Sequence, residues 1–163
     1  MKAQIEIRRM EERDLGGTAA DLVLRLKRLN EEFDSVFEVA EDAREKIEEM
    51  LARFASDREN HLVMVAESGG KVVGIVFVTV VDRSFYSPKE EARIVDFYIM
   101  PEFRRKGIGK MLIERVTREL NEKGVRFVTA EFPSHNLIAL NFYRGGIGFR
   151  EILSVYGKPI EED

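Results

Sequence analysis

Residues 71–82, K-V-V-G-I-V-F-V-T-V-V-D, are apolar at nearly every position. That pattern predicts a strand in the middle of a sheet with both faces covered. H-L-V-M-V-A-E at 61–67 precedes it across the turn S-G-G-K, so the two runs predict a hairpin. Upstream the period changes. Leu15, Ala19, Leu22, Val23 and Leu26 recur at helical spacing over 14–30, and Ala43, Ile47, Met50, Leu51 and Phe54 repeat the spacing over 38–56. The alternating stretch 5–10 reads as a first strand. Downstream, 83–91 is a polar loop and 93–100 a buried strand stopped by Pro101. A helix over 107–122, a strand over 125–132, a short helix from Asn136 through Tyr143 and a closing strand within 148–160 complete the order. No repeat or linker interrupts it. The expectation is one mixed α/β domain over 1–163.

Composition narrows the chemistry. With no cysteine, the chain of 163 residues has neither a disulfide framework nor a thiol nucleophile. The two histidines, His61 and His135, lie too far apart in sequence for ligand spacing, so no metal is expected. No run reaches the ~20 apolar residues of a membrane span, and the N-terminus M-K-A-Q-I-E-I-R-R-M has no apolar signal core. The expected location is cytoplasmic, with no membrane partner. A net charge of −4 argues against a nucleic-acid partner. The distribution is more telling than the sum: residues 31–58 carry ten acids against four bases, and residues 102–126 carry eight bases against four acids. Most of these charges belong on solvated helix faces. They also leave room for a basic site for an anion and an acidic approach for a cation.

The basic region centres on R-R-K-G-I-G-K, residues 104–110, where a strand ends and a helix begins. A helix N-terminus presents unpaired N–H groups and the positive end of its dipole. Glycine there lets an anion approach the backbone, and Arg104, Arg105, Lys106 and Lys110 add charge. The stretch therefore reads as a phosphate or pyrophosphate cradle, with tight packing as the other use of a G-x-G pair. The spacing excludes G-x-x-x-x-G-K-S/T, and Leu112 stands where a dinucleotide fingerprint needs its third glycine.

V-D-F-Y-I-M-P-E-F-R-R-K-G-I-G-K-M-L resembles the acetyl-CoA signature of the GNAT superfamily of N-acetyltransferases, with Arg104, Gly107 and Gly109 at its fixed positions. A second signature follows in A-E-F-P-S-H-N-L-I-A-L-N-F-Y-R-G-G-I-G-F: a strand, an Asn, a short helix and an aromatic-Tyr pair. The resemblance covers 93–150 in detail and the first 92 residues only by element order. It implies a mixed, mostly antiparallel sheet of about six to seven strands flanked by about four helices, with the parallel strands 93–100 and 125–132 splayed apart. The implied co-substrate is acetyl-CoA, leaving as coenzyme A. Its pantetheine arm would lie in the split against backbone of Tyr98 and Ile99 and the side chain of Asn136. Its diphosphate would lie on the N–H groups of Arg105, Lys106, Gly107, Ile108, Gly109 and Lys110.

Acetyl transfer to an amine requires a base for the ammonium, a donor for the acyl oxygen and an acid for the thiolate. Glu131, twelve residues before Tyr143, resembles the base of the ribosomal-protein N-terminal acetyltransferases, and Tyr143 matches the family's acid and a contact to the cofactor. As purely structural groups, Glu131 would be a solvated strand end and Tyr143 a packing aromatic. Asp96, alone in an apolar strand, would line the acceptor cleft or pair with an arginine. His135 would relay a proton or lie on the surface, and Tyr86 in the 83–91 loop would touch the acceptor. The chain departs from the family pattern twice. Arg93 stands where many members carry an early catalytic glutamate, and F-Y-R-G-G-I-G-F has one residue more than usual. The acidic first half favours a cationic primary amine, either a small molecule or a protein lysine or N-terminus. Family habit allows a homodimer. A non-catalytic acyl-CoA-binding regulatory module on the same fold is the alternative function.

Overall fold

The computed structural model describes residues 4–162. Its elements run β1 (Ile5–Arg9), α1 (Thr18–Glu31), α2 (Ala43–Ser56), β2 (His61–Ser68), β3 (Lys71–Asp82), β4 (Glu90–Ile99), α3 (Ile108–Glu122), β5 (Val128–Ala130) and α4 (Leu137–Arg144). The strands form one sheet in the order β1-β2-β3-β4-β5. β1 to β4 pair antiparallel, and β5 lies parallel to β4.

β3 is central, as its unbroken apolar run requires, and Val72, Val73, Ile75, Val76, Phe77 and Val78 are all buried. Its two faces meet different layers. Phe77 packs edge-on against Phe54 of α2, with ring centroids 5.9 Å apart. On the other face, a Cβ at Gly74 would lie 3.5 Å from Leu112 Cδ1 of α3. The sheet is thus sandwiched between α1 and α2 on one side and α3 on the other. A buried ionic link ties the first strand to the turn after it: Arg8 donates to both carboxylate oxygens of Asp14, at 2.7 and 2.9 Å. Burial works against the Asp14 charge, yet the Arg8 pair and the Glu11 amide hold its pKa below the usual carboxylate range.

β4 carries the feature that makes a cleft. Phe77 is opposite Asp96 and Val78 is opposite Ile94, so Val95 bulges out of the ladder. Before the bulge, Ala92 N–H donates to Phe127 O at 2.8 Å, and Ile94 O accepts from Glu131 N–H at 3.1 Å. After it, Met100 N–H donates to Val73 O at 2.9 Å. The bulge therefore reverses which amides point sideways. β5 pairs with β4 only from Ala92 to Ile94. Beyond Ile94 the two parallel strands part, which leaves the β4 edge from Val95 to Ile99 without a strand partner among the described residues.

Two expectations need correction. The sheet has five strands among the described residues, not six to seven, and the stretch 148–160 has no strand pairing. Ile152, Leu153, Val155, Tyr156 and Ile160 stand exposed. The β-branched and aromatic residues among them suit a strand, but a strand needs an edge to pair with, and β5 offers only three paired residues. For the same reason the expected strand 125–132 contracts to Val128–Ala130, while β4 extends back to Glu90, into the expected loop.

Candidate active site

Past Ile99 the chain makes a short turn over Pro101–Phe103 and enters α3 through a loop with two left-handed residues, Arg105 at φ 61° and Gly107 at φ 79°. This winding leaves the consecutive N–H groups from Arg105 to Lys110 without an acceptor among the described residues. The next one, Met111 N–H, bonds to Gly107 O at 3.1 Å. The side chains of Arg105, Lys106 and Lys110 are exposed around these amides. Successive N–H groups at the positive end of a helix form an anion nest.

The two glycines serve different ends. Gly107 supplies the left-handed turn, and a Cβ there would meet nothing within 4 Å. Gly109 supplies space: its Cβ would lie 2.9 Å from Phe142 Cε2 and 3.2 Å from Phe97 Cζ. The G-x-G pair thus combines a left-handed turn at Gly107 with close packing at Gly109. Arg104 is a brace. Its Nε donates to Ile99 O at 2.9 Å, and its guanidinium lies over the Tyr98 ring at 5.3 Å. Ile108 faces the core, so only its amide belongs to the nest.

Ladder alternation fixes which backbone lines the split. Because Met100 N–H points to β3, the Tyr98 backbone also points to β3, while the backbone groups of Phe97 and Ile99 face the open edge. The edge thus offers Phe97 beside Ile99, in place of the expected Tyr98. The bulge reverses the alternation, and nothing in the sequence marks it.

Across the split, Tyr143 of α4 sits among Phe132, Phe142, Phe149 and Phe97, with ring centroids 5.4, 5.1, 5.0 and 6.5 Å away. Burial raises its pKa well above the ordinary tyrosine value. The phenol is therefore neutral at physiological pH and able to donate a proton or hydrogen bond. Asn136 is buried, and its Oδ1 caps α4 by accepting Ala139 N–H at 3.1 Å. Its amide NH2 has no acceptor among the described residues. Glu131 is exposed, and its own N–H makes the last backbone tie between β5 and β4. It stands where the strands part.

The other candidates scatter. Arg93 pairs with Glu91 at 3.2 Å. Tyr86 is exposed in a loop that Arg83 organises by stacking on Tyr86 and Phe127 at 5.1 and 4.6 Å. His135 Nδ1 approaches Phe33 O at 3.3 Å, joining the loop before α4 to the end of α1. Asp96 is buried, and its partner is Lys27 of α1 at 2.6 Å, a lysine rather than an arginine. Desolvation raises the Asp96 pKa against the pull of Lys27. Sequence reasoning missed Asn30, which is buried with its side-chain oxygen unpartnered. The available signal was a polar residue four positions after Leu26 on the apolar stripe of α1. Among the described residues, no three His, Asp or Glu side chains cluster as metal ligands, and no helix is long and apolar enough to cross a membrane.

A left-handed loop leads into a cationic helix start, and a bulged strand with a split beside it opens next to that start. The profile of the acetyltransferase (GNAT) family matches residues 26–149, and the chain belongs to that family. A [ribosomal protein bS18]-alanine N-acetyltransferase of Salmonella typhimurium (strain LT2) is 34% identical over 62 residues, which cover 38% of this chain and 41% of that protein. The chain thus spans less than half of that relative. An aminoglycoside acetyltransferase from an uncultured soil metagenomic sample superposes with a TM-score of 0.68 at 29% identity, covering 97% of both chains. The aminoglycoside N-acetyltransferase AAC(6')-Iy, solved in complex with CoA, superposes with a TM-score of 0.74 over 98% of both chains. At 19% identity that likeness concerns the fold alone.

Proposed function

We propose that the protein is an acetyl-CoA-dependent N-acetyltransferase that moves an acetyl group to a primary amine by direct attack in a ternary complex. The observation that carries the reading is the run of unpaired amides from Arg105 to Lys110, ringed by cations and opening onto the unpartnered edge of β4. The residues suit the co-substrate. The nest and its cations match a diphosphate. The Phe97 backbone and the Asn136 amide match the two amides of a pantetheine arm, which would add to β4 like a strand and bring the acyl oxygen to Ile99. When bound, acetyl-CoA supplies the acetyl thioester.

The chain's own residues do the rest. Glu131 takes a proton from the acceptor ammonium, directly or through water, because only the neutral amine is nucleophilic. The Ile99 N–H donates to the acyl oxygen as charge develops on it. Tyr143, kept neutral by burial, gives its proton to the departing thiolate and is reprotonated, through water, by the second proton that the attacking nitrogen loses as the amide forms. The named relatives work on a ribosomal protein's alanine and on aminoglycosides, and both descriptions fit an amine acceptor here. The acidic approach over 31–58 favours a cationic one.

The test is thiol release from acetyl-CoA in the presence of spermidine, a lysine-bearing peptide and a peptide with N-terminal alanine. At least one should drive release above background hydrolysis. Coenzyme A binding with no turnover of any amine would instead make the chain a regulatory acyl-CoA module. Glu131→Gln should slow the reaction most at low pH and move the rate profile upward, toward the ~10.4 at which a lysine-type amine loses its proton unaided. An unaltered profile removes Glu131 as the base.

A further inference from the structure

On the α1 side of β4 lies a group of buried polar atoms that this chemistry leaves unused. Asp96 and Asn30 are 7% and 8% exposed. Asp96 directly follows the Val95 bulge, just past the last pairing of β4 with β5. Its only side-chain partner among the described residues is Lys27, whose own side chain is 39% exposed. Asn30 is one helical turn beyond Lys27, on the same face of α1. Its Oδ1 has no hydrogen-bond partner among the described residues. The Phe33 carbonyl, at the end of α1, meets His135 from the loop that also carries Glu131. Thus the end of α1, the bulge of β4 and the loop before α4 converge beside the split.

An unpartnered buried oxygen, one helical turn from the lysine that pairs with a buried carboxylate, is unfavourable in the protein alone. It becomes favourable when a ligand brings hydrogen-bond donors. Both groups accept hydrogen bonds, so the missing partner is a donor, and a primary ammonium offers three. Lys27 is itself such a group, tethered on a flexible and half-exposed stem. Residues 31–42 continue outward with Glu31, Glu32, Asp34, Glu38, Glu41 and Asp42 and with no Lys or Arg, so further positive charge on the same ligand would be welcome.

We propose that Asp96 and the Asn30 side-chain oxygen form an ammonium subsite for a polycationic primary amine, and that Lys27 occupies it until the acceptor displaces it. The subsite holds an ammonium other than the one that reacts, which is left to Glu131. This inference rests on the acetyltransferase reading.

Calorimetric titration with spermidine, in the presence of saturating coenzyme A, tests it on wild type and three variants. Asp96→Asn should weaken spermidine binding about tenfold or more, and Asn30→Leu about threefold or more. Lys27→Met should tighten it, because the competing cation is gone and Asp96 is left unpaired. Lys27→Gln, a neutral side chain with a donor, serves if Lys27→Met does not fold, and it should shift binding the same way by less. Opposite signs for the two halves of one ion pair are the signature, since a purely structural pair would lose binding from either side. Absence of spermidine binding by wild type overturns the proposal, as do equal affinities across the variants or weakening in both Asp96→Asn and Lys27→Met. Coenzyme A affinity, measured separately, distinguishes this failure from failure of the acetyltransferase reading, which would show as no coenzyme A binding by any form.

Discussion

Gly107→Glu should abolish acetyl-CoA binding while leaving the protein folded. Two effects must be separated. Gly107 has φ 79°, and an L-residue held there costs about 1–2 kcal/mol. A Cβ at this position meets nothing within 4 Å, so no clash adds to the strain. A carboxylate at a helix N-terminus is favourable for the helix, so the fold should survive. That same carboxylate would lie against the amides proposed for the diphosphate and repel it. Charge-assisted hydrogen bonds contribute about 1.5–3 kcal/mol each, so losing two would weaken binding by about a hundredfold or more. Gly107→Ala carries the strain without the charge and should bind nearly normally. If Gly107→Glu binds as tightly as Gly107→Ala, the nest does not hold the diphosphate.

Tyr143→Phe should lower turnover by about 100- to 10,000-fold, the range for losing a general acid, with acetyl-CoA affinity changed little. The Tyr143 ring keeps its contacts with Phe97, Phe132, Phe142 and Phe149 in the variant. The hydroxyl has no hydrogen-bond partner among the described residues, so its removal leaves no orphaned donor or acceptor behind. Stability should therefore hold or rise slightly. Loss of rate without loss of stability separates the proton-donor role from the packing role. Equal turnover would leave Tyr143 as an aromatic packing residue.

What could be read from the sequence was whatever depends on local pattern. β3 was fixed by its apolar run, the start of α3 by Gly107, and α4 by the cap at Asn136. What could not be read depends on distant partners. The Val95 bulge is set by pairing with β3 across Phe77 and Val78, and it decides that the Ile99 and Phe97 backbone face the split. Asp96 stood out as a lone acid, but its partner Lys27 lies 69 positions away on a helix whose pattern shows only an exposed lysine. Residues 148–160 show the converse error. Their β-branched and aromatic residues read as a strand, yet the short β5 edge gives them nothing to pair with among the described residues.

Binding of acetyl-CoA by the 105–110 nest and the split beside it is the step on which the proposed chemistry depends. Thermal unfolding with saturating acetyl-CoA, and with ATP at the same concentration, tests it most directly. Binding to the native state alone stabilises by about 2.7 kcal/mol at a hundredfold excess over Kd. Tm should rise with acetyl-CoA, and ATP should not match the rise. No shift with acetyl-CoA, or an equal shift with ATP, would contradict it.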